Sequence, residues 1–353
     1  MGSVKKRLKK CMKFGENYNK YLLNFSYLES LDERDILIIN DLIILKSQNN
    51  PFLDKNGTSL DLQSLITKKY FGNNSNSSVF LQNMRINDKD IIKKVYKYSK
   101  KAEAEMEISV LVRMNSSSFF PDVYAIKFGE YNISIFMKKI EHSLQNYCYK
   151  KDLNFFQLRC IFRDVLAAVS SLHKEGIVHE DIKADNIVIE RCFRGGKHSF
   201  KGHLIDFGLS QYECCRRVYY ESGNVLTSSP EKVNCKGERC NYKLDIWSIG
   251  ISYLQAKLRS NLIYPLKEPN RFNCLLHIGQ LRNLHNDAIY ETLQKFRSEE
   301  GPVNSSILNY FPKLQTLHQM EIEFLKATLA IDPSKRKSAN EILQLDLFYC
   351  LND

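Results

Sequence analysis

No apolar run in the chain reaches the roughly 18 to 20 residues that a membrane-spanning helix needs, and the first residues lack the apolar core of a secretory signal. The sequence therefore reads as intracellular, cytoplasmic or nuclear. Its 10 cysteines are scattered without a metal-ligand or disulfide rhythm, as suits a reducing compartment. Cys214-Cys215 and Cys235 with Cys240 are clusters, but no histidine pair stands near to complete a zinc site, so ordinary thiols are expected. There is no internal repeat. A recognition motif for nucleic acid is also missing, so no specific nucleic-acid partner is expected.

What is present is an ordinary soluble composition, 43% hydrophobic and 26% charged over 353 residues, enough for two modest cores. The formal net charge is +11, and much of the excess lies in Lys5, Lys6, Arg7, Lys9, Lys10 and Lys13. Such a head attracts nucleic acid, anionic lipid or acidic protein without choosing among them; Lys-, Asn- and Ile-rich usage can equally reflect an AT-rich genome. Gly2, the basic run and Cys11 invite a myristoyl, polybasic and palmitoyl reading, with each charge near an anionic leaflet worth about 1 kcal/mol. Against membrane association, Lys6 stands where the acylation motif wants Ser or Thr. A solvated tail and a nuclear-import patch are the rival readings.

Residues 1–64 form a basic head and an N-terminal extension. Its apolar stretch, Ile36 to Ile39 with Leu42 to Leu45, is a helix or a strand pair, which periodicity alone does not separate. From Leu65 to about Ile140 short strands are interrupted by one helix with apolar positions Ile108, Leu111, Val112 and Met114. From Leu153 the pattern turns helical, and Ile161, Val165, Leu166, Val169 and Leu172 form a stripe that ends at Gly176. The fold class expected is α+β, with a β-rich N-lobe over about 65–140 and a larger, mostly helical C-lobe over about 141–350.

The chemistry is concentrated in two runs, Val178-His179-Glu180-Asp181-Ile182-Lys183-Ala184-Asp185-Asn186 and Leu204-Ile205-Asp206-Phe207-Gly208. Phosphoryl transfer needs an acid to orient a hydroxyl, a cation on the moving phosphate and oxygen ligands for magnesium, and these runs contain all three. Extra residues around Gly195-Gly196 lengthen their separation and read as an enlarged hairpin turn. Upstream stands Tyr70-Phe71-Gly72-Asn73-Asn74-Ser75-Asn76-Ser77-Ser78-Val79, then Asp90-Ile91-Ile92-Lys93-Lys94-Val95, then Glu107 opening an apolar helical stripe. Downstream stand Ser229-Pro230-Glu231, Asp245-Ile246-Trp247-Ser248-Ile249-Gly250, and Arg336 within Asp332-Pro333-Ser334-Lys335-Arg336.

In this order, over about residues 65 to 350, these motifs resemble the eukaryotic-type protein kinase superfamily, serine/threonine type. The resemblance implies a bilobal fold and ATP- and magnesium-dependent transfer of the γ-phosphoryl group to protein hydroxyls. It implies Asp181 as the group that positions the acceptor, Lys183 on the transferred phosphate, and Asn186 with Asp206 as magnesium ligands. Lys93 is favoured over Lys94 as the nucleotide lysine. Its expected partner is Glu107, with Glu103 and Glu105 as alternates. Gly72, Val79 and Met137 are placed at the nucleotide.

Asn74 and Ser77 stand where the family's phosphate loop has its second and third glycines, a departure that restricts backbone approach to phosphate. Glu231 and Arg336 are expected to pair in the large lobe. Glu180 occupies a position that is Arg in members switched by activation-loop phosphate. It is expected either to pair permanently with Arg216 or Arg217 or to point to solvent. Asp185 matches an acid that reads basic substrate residues, whereas Lys138, Lys139, Arg216 and Arg217 favour acidic ones. A pseudokinase scaffold that binds partners without catalysis is the alternative function.

Overall fold

The computed structural model describes residues 36–39, 42–45, 52–53, 59–60, 70–71, 79–86, 89–114, 117–128, 131–212, 223–224, 227–229, 231–232, 242–259, 317–330 and 332–349. The basic head, residues 72–78, the cysteine clusters, Arg216 and Arg217 lie outside them. The chain divides into two compact units, residues 1–141 with 205–210 and residues 142–204 with 211–353.

In the first unit, strands β1 (Ile36–Ile39), β2 (Leu42–Leu45), β5 (Tyr70–Phe71), β6 (Val79–Ile86), β7 (Lys89–Lys97), β8 (Val123–Phe128) and β9 (Asn132–Lys138) form one sheet, ordered β1-β2-β8-β9-β7-β6-β5. A two-stranded pair, β3 (Phe52–Leu53) with β4 (Ser59–Leu60), stands apart from it. The ambiguous stretch at 36–45 is thus a strand pair, and β2 runs parallel to β8 with Ile43 opposite Ala125. The main helix, α1 (Lys101–Met114), buries Ala104, Glu107, Ile108, Ser109, Val110, Leu111, Val112 and Met114. Burial is continuous from Glu107 to Val112, so the second half of the helix is covered all round and not on one face alone.

The second unit is built on α2 (Leu144–Lys150), α3 (Phe155–Lys174), α4 (Lys243–Leu258), α5 (Gln319–Thr328), α6 (Ala339–Ile342) and α7 (Asp346–Tyr349). Helix α3 begins with a reciprocal capping box between Asn154 and Gln157. Its stripe of Ile161, Val165, Leu166, Val169 and Leu172 is fully buried. Gly176, at φ 67°, then turns the chain in the left-handed region that glycine enters without strain. Phe162, Tyr253, Phe324 and Phe348 interlock edge to face at centroid spacings of 4.9, 5.0 and 5.5 Å, joining α3, α4, α5 and α7.

The remaining strands of this unit form two small sheets. β11 (Ile177–Val178) pairs with β14 (Gln211–Tyr212), and β10 (His142–Ser143) pairs with β12 (Ile187–Arg194), which forms a hairpin with β13 (Lys197–Leu204). The extra length near Gly195-Gly196 is therefore carried by the strands, eight residues each, and not by an enlarged turn.

Candidate active site

In the second unit, β11 delivers the chain into a loop that is fixed from below. Asp245, fully buried in the first turn of α4, accepts hydrogen bonds from the backbone N–H groups of His179 (2.8 Å) and Glu180 (3.0 Å), and its Oδ2 lies 2.9 Å from His173 Nε2. The loop's shape therefore rests on one carboxylate with three partners, each of which a smaller or neutral residue would leave under-satisfied.

Within the loop, Asp181 is gripped at both oxygens. Oδ2 accepts from Lys183 Nζ at 2.6 Å and from Asn186 Nδ2 at 3.0 Å, while Oδ1 accepts from the backbone N–H of Asn224 at 2.8 Å. Asn186 Nδ2 also donates to the Asp181 carbonyl at 2.8 Å. With its nitrogen committed to Asp181, Asn186 has its amide oxygen to offer a cation. Asp185, one residue before Asn186, is exposed, and partial desolvation nonetheless pushes its carboxyl up, opposed by Lys183 and assisted by Asp181.

Glu180 does not point to solvent, and the expected pairing with Arg216 or Arg217 lies outside the described residues. Its side chain is 0% exposed, and Lys232 Nζ, 3% exposed, lies 3.3 Å from its Oε2 and 3.1 Å from its carbonyl oxygen. The loop is sharply bent at this residue, with φ 72°, a region that costs a non-glycine residue of order 1 kcal/mol or more unless its surroundings hold it. Gly223, at φ 79°, completes the arrangement: a Cβ there would lie 2.6 Å from the Glu180 carbonyl oxygen.

In the first unit a second charged cluster forms, and it uses Lys94 where the sequence favoured Lys93. Lys94 Nζ lies 2.6 Å from Glu107 Oε2 and 2.8 Å from Asp206 Oδ1. Lys93 lies over the Phe136 ring at 5.7 Å. The reason is the two-residue period of a strand: adjacent lysines on β7 point to opposite faces, and a register one residue off exchanges them. Glu107, rather than Glu103 or Glu105, reaches the lysine; those two acids lie against Lys100 and Lys101.

Tyr96, two residues along the same face of β7, donates its hydroxyl to Glu107 Oε2, and Lys94 Nζ sits 5.0 Å from its ring centre. Burial pushes the Glu107 carboxyl up to about 7, opposed by Lys94 and assisted by Asp206. Burial alone would lower Lys94, but the charges of Glu107 and Asp206 outweigh it and hold the ammonium above its usual value. Asp206 itself adopts φ 68°, while Phe207 is fully buried against Phe120 at 5.7 Å. With its side chain 42% exposed, Asp206 still presents carboxylate surface outward.

Val79 is half-buried at the start of β6, and Met137 is buried in β9 between Ile92 and Val123; Gly72 lies outside the described residues. Arg336 binds Glu231 through two bonds of 2.5 and 2.7 Å and lies 5.0 Å from the Trp247 ring centre. That fork anchors the start of the segment bearing Lys232.

Four groups of this site carry no advance signal as motif members: Tyr96, Lys232, Asn224 and His173. Tyr96 alone was accessible in principle, from its i+2 spacing to Lys94. As for magnesium, no group of three or more His, Cys, Asp and Glu among the described residues is placed to hold a metal. Asn186 in the second unit and Asp206 in the first each carry a hard oxygen donor of the type such an ion takes.

Comparison with known proteins gives this geometry its context. The protein kinase domain model matches residues 66–348. A mitogen-activated protein kinase kinase kinase of Pyricularia oryzae is 31% identical over 134 residues, 36% of this chain but 8% of that protein. A probable casein kinase II subunit alpha homolog of Encephalitozoon cuniculi is 26% identical over 284 residues, 73% of this chain and 80% of its own. A probable cAMP-dependent protein kinase catalytic subunit from the same organism is 29% identical over 153 residues, covering 42% and 44%. The chain thus spans a small part of the first of these relatives and most of the second. With the match extending over most of its length, the chain belongs to the protein kinase domain family.

Proposed function

We propose that this chain transfers the γ-phosphoryl group of ATP, with magnesium, to serine or threonine hydroxyls of protein substrates. The observation that carries the reading is Asp181 held at both oxygens: a fixed carboxylate beside a lysine is what orienting an alcohol and neutralising a phosphoryl group requires. Asp181 orients the acceptor hydroxyl and takes its proton, while Lys183 faces the charge on the group in flight. Lys94, kept in place by Glu107 and Tyr96, engages the nucleotide phosphates. Asn186 and Asp206 offer oxygens to magnesium, which when bound offsets the charge of the phosphates. The test is transfer of labelled phosphate from ATP to a generic basic protein; nucleotide or partner binding with no transfer would favour a scaffold.

Two measurements follow from the first unit. Lys94→Met should raise KM for ATP or lower kcat by about a hundredfold in combination, the size of a lost charge-assisted contact, while Lys93→Met stays within about threefold of the wild type. Equal effects would remove the distinction between the two lysines, and a larger loss in Lys93→Met would return the role to Lys93.

The second concerns pH. Because Glu107 titrates at about 7, lowering the pH through that value protonates it and removes the charge that holds Lys94, so ATP affinity is full above about pH 8 and falls on the acid side. Tyr96→Phe removes a donor that favours the ionised carboxyl, so its acid limb should move to higher pH, a shift that titration of the nucleotide itself does not produce. KM for ATP measured from about pH 6 to about pH 8.5 decides the matter, and an unmoved limb refutes the assignment.

Activity independent of activation-segment phosphate is part of the same proposal. Where a switched kinase places an arginine to receive phosphate, this loop has Glu180, buried and paired with Lys232. Phosphatase-treated enzyme should retain its rate within about twofold. Loss of the rate on treatment would show that a phosphate is required after all.

A further inference from the structure

The hydroxyl of Tyr96 has a neighbour besides Glu107. Tyr96 is 1% exposed on β7, and the segment 205–210, which belongs to the same compact unit, runs against the end of its ring. A Cβ built on Gly208 would lie 3.2 Å from the Tyr96 hydroxyl oxygen. Its next neighbours, Glu103 Cβ at 3.6 Å and Asp206 Oδ1 at 3.7 Å, are at ordinary contact distance. Gly208 does not take a positive φ, so its backbone suits alanine. What stands in the way of a side chain is the hydroxyl.

That hydroxyl is not free to yield. It donates to Glu107 Oε2, on a carboxylate that also accepts from Lys94 Nζ at 2.6 Å and from the backbone N–H of Phe207. The Glu107 side chain is 1% exposed, so drawing the phenol away leaves a buried acceptor short of a donor. The strand that carries Tyr96 is paired on both sides, with Val79 opposite on β6 and Ile133 opposite on β9.

Three elements therefore meet at one carboxylate: β7 through Lys94 and Tyr96, α1 through Glu107 itself, and the segment 206–208 through the Phe207 N–H. Between the fixed points lies Asp206 at φ 68°, a bend that a non-glycine residue keeps only where its surroundings impose it.

We infer that Tyr96 is a positioning residue for the Asp206 segment. Its hydroxyl, fixed by Glu107, is the surface on which Gly208 rests, and it keeps the bend at Asp206 that sets one carboxylate oxygen 2.8 Å from Lys94 Nζ. What Asp206 then does for phosphoryl transfer rests on the function proposed above; the contact between Tyr96 and Gly208 does not.

The test is a double-mutant cycle on the full chain, read in kcat/KM for ATP and in the melting temperature. Gly208→Ala alone should lower kcat/KM about tenfold and Tyr96→Phe alone about threefold, sizes ordinary for residues in contact. In Tyr96→Phe/Gly208→Ala the methyl takes the space of the lost oxygen. The double variant should then match Tyr96→Phe within about twofold, where independent effects would multiply to about thirtyfold. Its melting temperature should likewise lie above that of Gly208→Ala. Exchange of the Phe207 amide, followed without nucleotide or metal, should quicken about tenfold in Tyr96→Phe. Losses that multiply in the double variant overturn the inference, as does a Phe207 amide that keeps its wild-type exchange rate. The exchange measurement needs no Gly208→Ala protein and decides the matter if that variant does not fold. A wild-type chain that transfers no phosphate would remove the proposed function, while the melting cycle and the exchange still judge the contact.

Discussion

Asp181→Asn is expected to lower kcat by about a thousandfold, in the middle of the range for losing a positioned general base, while KM for ATP stays within about threefold. The asymmetry follows from the contacts. The backbone N–H of Asn224 bonds to Oδ1, which the amide oxygen of asparagine can still supply, so the loop keeps its shape. The other oxygen accepts from Lys183 Nζ and Asn186 Nδ2, and an amide nitrogen in that place would set donor against donor. What is lost is the charge that takes the hydroxyl proton and the partner that aims Lys183. The Lys94 cluster, in the other unit, is untouched, and ground-state nucleotide binding should follow it. A fall in kcat with little change in KM marks an interaction made in the transition state. If asparagine instead cost only a few-fold, orientation by backbone and lysine would be sufficient, and Asp181 would not be the base.

The legibility of this site in the sequence depended on what kind of constraint each residue answers to. Asp181, Lys183 and Asn186 lie within one loop, so their spacing along the chain is nearly their geometry, and the run His179 to Asn186 could be read directly. Lys94 could not be distinguished from Lys93 because both fit a strand, and which one faces α1 depends on the register of β7 against β6 and β9. That register is set by pairing far along the chain, as between Lys94 and Ile135. The stretch 36–45 stayed open between helix and strand pair for a similar reason: short apolar runs suit either, and what decides is the pairing of β2 with β8. Glu180 was legible as a departure but not in its consequence. Lys232 follows Glu231 with no spacing rule linking it to a residue 52 positions earlier.

That unannounced pair carries the second large effect. Lys232→Met should destabilise the protein by about 3 to 5 kcal/mol, the cost of leaving a buried charge uncompensated, lowering the melting temperature by about 10 °C for a unit of this size. Glu180→Gln/Lys232→Met should recover much of that loss, because a neutral amide beside an apolar side chain costs far less than a buried carboxylate that has lost its lysine. Recovery will be incomplete, since Lys232 also donates to the Glu180 carbonyl, which belongs to the residue at φ 72° and accepts nothing comparable from methionine. The double variant therefore separates two functions of one lysine. If stability returns while kcat stays low, the bond to the carbonyl is what holds the bend ahead of Asp181, and the ion pair serves only to keep Glu180 buried. If both return together, charge alone was at issue. Single and double variants that melt alike would mean that Glu180 takes up a proton when its partner is removed, and that the pair is not what replaces a phosphate switch.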